Sequence, residues 1–107
     1  MTYRVTPPVH PGEVLREEFL VPLKLTPYGL AKRLNIVRTR IERLAREETS
    51  VTPDTALRLA KAFGTTPEFW LNLQAAYDIT VAEVAHGDEL AAIRPIENMG
   101  NGELERV

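Results

Sequence analysis

Three features of the 107-residue chain predict an all-α fold of five short helices followed by a helix/coil extension. Thr26-Pro27, Thr52-Pro53 and Thr66-Pro67 each set a capping hydroxyl before a proline, the pattern of a helix start. Behind each pair, apolar residues recur at spacings of three and four, which gathers them on one helical face. No strand-like alternation interrupts the pattern before residue 78.

The elements follow in order. Residues 1–11, with Pro7, Pro8 and Pro11, read as an extended lead-in. A first helix is predicted from Gly12 to Val21, with Val14, Leu15, Phe19 and Leu20 facing inward, and Pro22 is expected to stop or kink it. The second helix opens at Thr26-Pro27, turns Leu30, Ala31 and Leu34 inward, and ends at Asn35, which tolerates the left-handed conformation of a tight turn. The third runs from Arg38 to about Arg46 over Ile41, Leu44 and Ala45, and Glu47 to Val51 forms a loop. The fourth extends from Thr52-Pro53-Asp54 to Gly64 over Ala56, Leu57, Leu59, Ala60 and Phe63. The fifth starts at Thr66-Pro67-Glu68 and carries Phe69, Trp70, Leu73 and Tyr77. Phe69 and Leu73 are assigned to the core, and Trp70 and Tyr77 to a subunit interface, where half-exposed aromatics are favoured. Thr80 to Ala85 forms a further short helix with a break at Gly87, and Pro95, Gly100 and Gly102 argue for coil from Arg94 onward. The chain thus divides into a lead-in (1–11), a helix-turn-helix domain (12–78) and an acidic C-terminal extension (79–107).

Thr26 to Ser50 is the most informative segment. Helix, short turn, helix is the layout that sets a second helix into a DNA major groove. With Ile41 at the centre of the buried face, Thr39, Glu42, Arg43 and Arg46 point away and Arg38 and Arg40 flank them. Arginine pairs bidentately with guanine and also binds phosphate. Glu42 lies four residues from both Arg38 and Arg46, so an ordinary solvated face laced with ion pairs has the same appearance. The helix alone leaves both readings open.

Net charge is only −2, but it is unevenly spread. Between Thr26 and Ser50, Lys32, Arg33, Arg38, Arg40, Arg43 and Arg46 oppose Glu42, Glu47 and Glu48, a net of +3. From Asp78 to Val107 seven acidic side chains meet only Arg94 and Arg106, a net of −5. A polyanion suits the first region; a cationic surface, or simply solvent, suits the second. The chain has no cysteine, two histidines far apart and no nucleophile beside a base. No catalytic site, metal centre or cofactor is therefore expected. There is no secretory signal and no apolar run near the roughly 18 residues of a membrane span, so a cytoplasmic protein without a membrane partner is expected.

His10-Pro11-Gly12-Glu13, Thr55-Ala56-Leu57-Arg58-Leu59-Ala60, Gly64-Thr65-Thr66-Pro67-Glu68-Phe69-Trp70-Leu71-Asn72-Leu73-Gln74 and Tyr77-Asp78 narrow the reading. Together they resemble the HigA family of antitoxins, within the phage-repressor (XRE) type of helix-turn-helix proteins. The resemblance implies a five-helix fold and two tasks without catalysis or a small-molecule substrate. One is neutralising a HigB toxin, a basic mRNA-cutting ribonuclease of the RelE type. The other is binding double-stranded operator DNA at the promoter of the protein's own operon, as a repressing homodimer. Position by position it implies base contacts from Arg38, Thr39 and Arg43, with Arg40 against the backbone. Thr26, Lys32, Thr49 and Ser50 approach phosphates, and Arg46 shares the exposed face. Two departures stand out. Val37 occupies the cap of the recognition helix and offers no oxygen to a backbone N–H. Glu47-Glu48 replaces a glycine and a basic residue and repels phosphate. They keep open a toxin inhibitor that does not bind DNA, beside a stand-alone transcriptional regulator. Glu13, Glu17 and Glu18, or the acidic tail, complement a basic toxin.

Overall fold

The computed structural model describes residues 8–97, and its helices begin where the cap chemistry places them. Thr26, Thr52 and Thr66 each accept a hydrogen bond from the backbone N–H three residues on, at Gly29, Thr55 and Phe69. They open α3 (Pro27–Leu34), α5 (Pro53–Phe63) and α6 (Pro67–Ala85). Between them, α4 (Arg38–Ala45) follows the turn. Asn35 takes the left-handed conformation at φ 60°. The Ile36 N–H then bonds back to the Ala31 carbonyl at 3.1 Å, so the turn closes as a Schellman motif.

The first helix departs from expectation at both ends. It begins at Pro11, because His10 is a cap: its Nδ1 accepts the Gly12 N–H at 2.8 Å. It also runs through Pro22. α1 (Pro11–Val14) continues into a π-helical segment (Leu15–Leu20) and α2 (Val21–Leu23). The Val21 N–H reaches the Arg16 carbonyl, five residues back. Proline has no N–H to supply, and the widened turn ahead of it has already left the regular ladder, so the ring causes no break. The helix ends instead at Lys24, left-handed at φ 53°.

α3 packs on α4, α5 on α6, and the first helix spans α4 and α6. The core they enclose includes Leu15, Leu30, Ile41, Leu44, Ala56, Leu59 and Trp70. Trp70 is fully buried and cannot serve a subunit interface. Its ring lies 5.4 Å from Phe19 and 6.4 Å from Phe63, and its Nε1 donates to Thr65 Oγ1 at 2.8 Å. Phe69 is 38% exposed and covers Trp70 from outside, edge to face. The inward face of α6 is the one shared by Trp70, Gln74 and Tyr77, and Phe69 lies about 100° away from it. Leu73 packs against the core as expected, but Leu57 on α5 points to solvent.

α6 does not stop near residue 78; it is one 19-residue helix, so the expected boundary at 78/79 falls inside it. The break comes at His86, followed by α7 (Gly87–Ala91) and coil to Glu97. Pro7 of the lead-in and Gly100, Gly102, Glu103, Glu105 and Arg106 of the tail lie outside the described residues.

Gly12 sets the distance between α1 and α4. A Cβ there would overlap the Leu44 carbonyl oxygen, whereas one at Gly87 would meet nothing within 4 Å. Gly12→Ala is expected to destabilise the fold by roughly 1–3 kcal/mol, as overpacking against backbone does. Gly87→Ala should be neutral or slightly stabilising. Thermal and urea unfolding followed by circular dichroism will separate the two.

Candidate nucleic-acid interface

The exposed face of α4 is built from behind. Ile41, Leu44 and Ala45 anchor the helix in the core, leaving Arg38, Thr39, Arg43 and Arg46 in solvent. Val37 precedes them with no side-chain cap, as its chemistry requires. The backbone alone starts the helix, through the Arg40 N–H to the Val37 carbonyl at 3.1 Å.

The arginines differ in their freedom. Arg43 has no side-chain hydrogen bond or ion pair among the described residues. It lines a shallow groove with Thr39, Thr49, Ser50 and Thr52. Arg38 lies 3.5 Å from Glu42 and 5.8 Å from the centre of the Tyr28 ring. Lys32 approaches the same ring at 6.0 Å. Tyr28, more than half exposed, thus joins α3 to α4 on the cationic surface. Its i,i+4 spacing from Lys32 was the only sequence sign of this role. Arg40 is differently placed. Its Nη1 bonds Asp54 at 2.6 Å and Thr55 Oγ1 at 3.4 Å, tying α4 to the start of α5. Arg58 shares Asp54 and also donates to the Leu34 carbonyl at 2.8 Å, at the end of α3. Hydrogen bonds from the two guanidinium groups hold the Asp54 carboxyl below its usual pKa. In the free protein Arg40 is therefore a tie within the helix-turn-helix unit.

The loop after α4 is clamped from three sides. Arg16 donates to the Ala45 carbonyl at the end of α4 and pairs with Glu47 at 3.2 Å. Gln74, buried on α6, accepts the Val51 N–H at 2.8 Å and donates to Asp78 at 3.0 Å. His10 packs edge to face on Tyr77 at 4.7 Å. The acidic pair in this loop is consequently not bare: Glu47 faces Arg16, and Glu48 faces Arg46 at 3.1 Å. Glu47 takes a left-handed conformation at φ 64°, in the place where glycine is usual. Thr49 and Ser50 remain exposed beside Arg43. Thr26 is exposed too; its oxygen caps α3 at 2.9 Å, which leaves its hydroxyl proton free to donate.

The remaining site expectations fall elsewhere. Glu13, Glu17 and Glu18 are exposed on the first helix, with Glu17 paired to Arg16 at 3.0 Å. Tyr77 is half-buried against His10 within the same chain. The bonds from Arg16 to Ala45, from Val51 to Gln74 and from Arg58 to Leu34 carried no local signal, because those partners stand far apart in sequence. No described helix is long and apolar enough to cross a membrane.

Comparison with known proteins agrees with this geometry. A helix-turn-helix family profile matches residues 15–70. Virulence-associated protein I of Dichelobacter nodosus is 49% identical over 77 residues, spanning 72% of this chain and 71% of the relative. Antitoxin HigA-1 of Vibrio cholerae is 36% identical over 89 residues, spanning 83% and 84%. The solved structure of the Pseudomonas aeruginosa antitoxin HigA with the higBA promoter superposes with a TM-score of 0.80. It is 37% identical and covers 83% of this chain and 98% of its own.

Burial lowers the pKa of His10, against the opposing pull of Glu47, Asp78 and the Thr49 backbone. Its folded form stays neutral at pH values where the unfolded chain, titrating near 6.5, takes up a proton. The unfolded state then binds more protons, so stability is full above about pH 7 and falls as pH drops below about 6.5. His10→Asn keeps a capping side chain without the titration. It should flatten unfolding free energy between pH 7 and 5, measured by urea denaturation at each pH.

Proposed function

Because this chain belongs to the helix-turn-helix family that includes the HigA antitoxins, we propose that it is an antitoxin with two binding tasks. It neutralises a HigB/RelE-type mRNA-cleaving toxin. It also represses its own operon by binding the promoter as a dimer. It acts by binding rather than catalysis, in the cytoplasm.

One observation carries the DNA half. α4 holds its apolar side in the core and turns Arg38, Thr39 and Arg43 outward, on a scaffold that superposes on a relative solved with promoter DNA. In the major groove, Arg43 reaches base edges unencumbered, and Thr39 lies one turn back on the same face. Arg38 joins them by leaving Glu42. Lys32, Thr26, Thr49 and Ser50 approach the flanking phosphates, and Arg46 supplies charge at the far end of the helix. A two-fold dimer sets two such helices about one DNA turn apart, near 34 Å.

The toxin half rests on family membership. Glu13, Glu17 and Glu18 offer an acidic surface to a basic ribonuclease, on the side of the first helix away from the core. Co-expression with a short basic open reading frame next to this gene should rescue growth and yield a stable complex. Failure of rescue, with operator binding intact, would leave a stand-alone regulator.

Arg43→Ala should weaken operator binding by roughly 1–3 kcal/mol and relax preference at one base position. Lys32→Ala should weaken all sequences alike and reduce the salt slope by about one. Gel shifts or fluorescence anisotropy across a salt series read both. Charge reversal at Glu17 and Glu18 should leave DNA affinity unchanged and lower toxin affinity in a pull-down titration.

A further inference from the structure

A groove of about 630 Å³ opens between α2, α3 and α5, a size common among small-molecule sites. Leu23, Leu25 and Phe63 supply its apolar side. Arg33, Arg58 and Lys61 line it as well, and no acidic residue does. Arg33 and Lys61 are exposed and have no carboxylate partner among the described residues. Arg58 bonds Asp54, which lies outside the lining and is shared with Arg40. A cleft lined by charge of one sign concentrates the opposite sign, and here that charge borders an apolar trough.

We propose that the groove is an effector site for a single-chain anionic amphiphile, one alkyl chain ending in a carboxylate or phosphate. The head meets Arg33, Arg58 and Lys61, and the chain lies along Leu23, Leu25 and Phe63. Arginine suits such a head, because its planar fork takes two oxygens at once. The chain covers apolar surface that otherwise faces water, since Leu23 is 59% exposed. A neutral lipid would leave three cations without a counter-charge. A small inorganic anion would leave the apolar side wet.

Arg58 links this site to the helix-turn-helix. It donates to the Leu34 carbonyl at 2.8 Å, at the end of α3 beside the turn residue Asn35. Its bond to Asp54 at 3.0 Å continues through Arg40 to α4. An anionic head competes with both acceptors for this guanidinium. Losing it loosens the end of α3 and the start of α5, the elements on either side of α4, so the ligand lowers operator affinity. By linkage, operator DNA lowers ligand affinity by the same factor. This coupling rests on the DNA-binding reading above; the site itself does not.

The test titrates decanoate and decyl phosphate into the full-length protein and follows backbone amide shifts by NMR. Saturable shifts are expected at Leu23, Leu25, Lys61 and Phe63, and the tighter of the two ligands identifies the head. From octanoate to decanoate, binding should tighten up to about fourfold for each methylene buried. Decyltrimethylammonium, with the same chain and the opposite charge, and inorganic phosphate, a head without a chain, should leave these amides unmoved. Arg33→Glu with Lys61→Glu, both at exposed positions, should weaken binding at least about tenfold while circular dichroism shows the fold unchanged. Shifts confined to the exposed apolar residues Ile79, Val84 and Leu90, equal binding of the cationic amphiphile, or undiminished affinity in the double variant would each overturn the site. Operator affinity is read separately by fluorescence anisotropy. Saturating ligand should lower it at least about fivefold in the parent and leave it unmoved in the double variant. A ligand that fills the groove without changing operator affinity refutes the coupling. A parent that binds no operator refutes the DNA reading, and the NMR titration still decides the site.

Discussion

The contact between the first helix and the carboxyl end of α4 governs the rest of the structure. Gly12 has no side chain, so the backbone of α1 lies directly against the Leu44 carbonyl. One turn later Arg16 reaches the carbonyl of Ala45. The last carbonyls of a helix have no partner within it. Here one of them receives a charged donor from another element, and the partial negative charge of the helix end meets a guanidinium. α4 is thereby fixed at its buried end, while its exposed end has no side-chain cap at Val37. A recognition helix needs a defined direction more than a tightly fastened tip, and the first helix supplies that direction.

The same contact reaches the loop beyond α4. Arg16 holds Glu47, Gln74 holds Val51, and His10 joins the start of α1 to Tyr77 on α6. These three links come from two helices that do not face the outward side of α4. Thr49 and Ser50 are therefore carried on a loop positioned by the core and not by its own turn chemistry. The acidic pair is part of this design. Glu47 is the partner of Arg16, and Glu48 that of Arg46. Both carboxylates are paired at the protein surface, so the expected repulsion of phosphate is weaker than the sequence alone suggests.

Much of the fold is legible because it is written locally. A Thr-Pro pair decides its own helix start within four residues, and Asn35 decides its own turn. The inward face of α4 follows from three residues on a single wheel. The failures share one cause. His10 as a cap and Pro22 inside a helix depend on what the neighbouring turn does. Trp70 and Phe69 differ in burial because the rotation of α6 is set by Phe19 and Phe63, on other helices. Arg40 is taken up by Asp54, 14 residues away, and Gln74 by Val51, 23 residues away. Pattern reading finds which side of a helix is greasy, and it misses which polar group is already engaged.

That distinction orders the cationic surface. A guanidinium with a carboxylate partner must exchange it to bind DNA, and an exposed pair is worth at most about 1 kcal/mol, less in salt. Contact with DNA would therefore cost Arg38 and Arg46 only their exposed pairs with Glu42 and Glu48. Arg40 loses more, since Asp54 also holds Arg58 and through it the end of α3. Arg43 and Lys32 have no carboxylate partner to give up, and they stand on adjacent helices. Among the arginines of α4, the fold leaves Arg43 alone without a hydrogen-bond or ion-pair partner, on the face that the buried side of the helix turns outward.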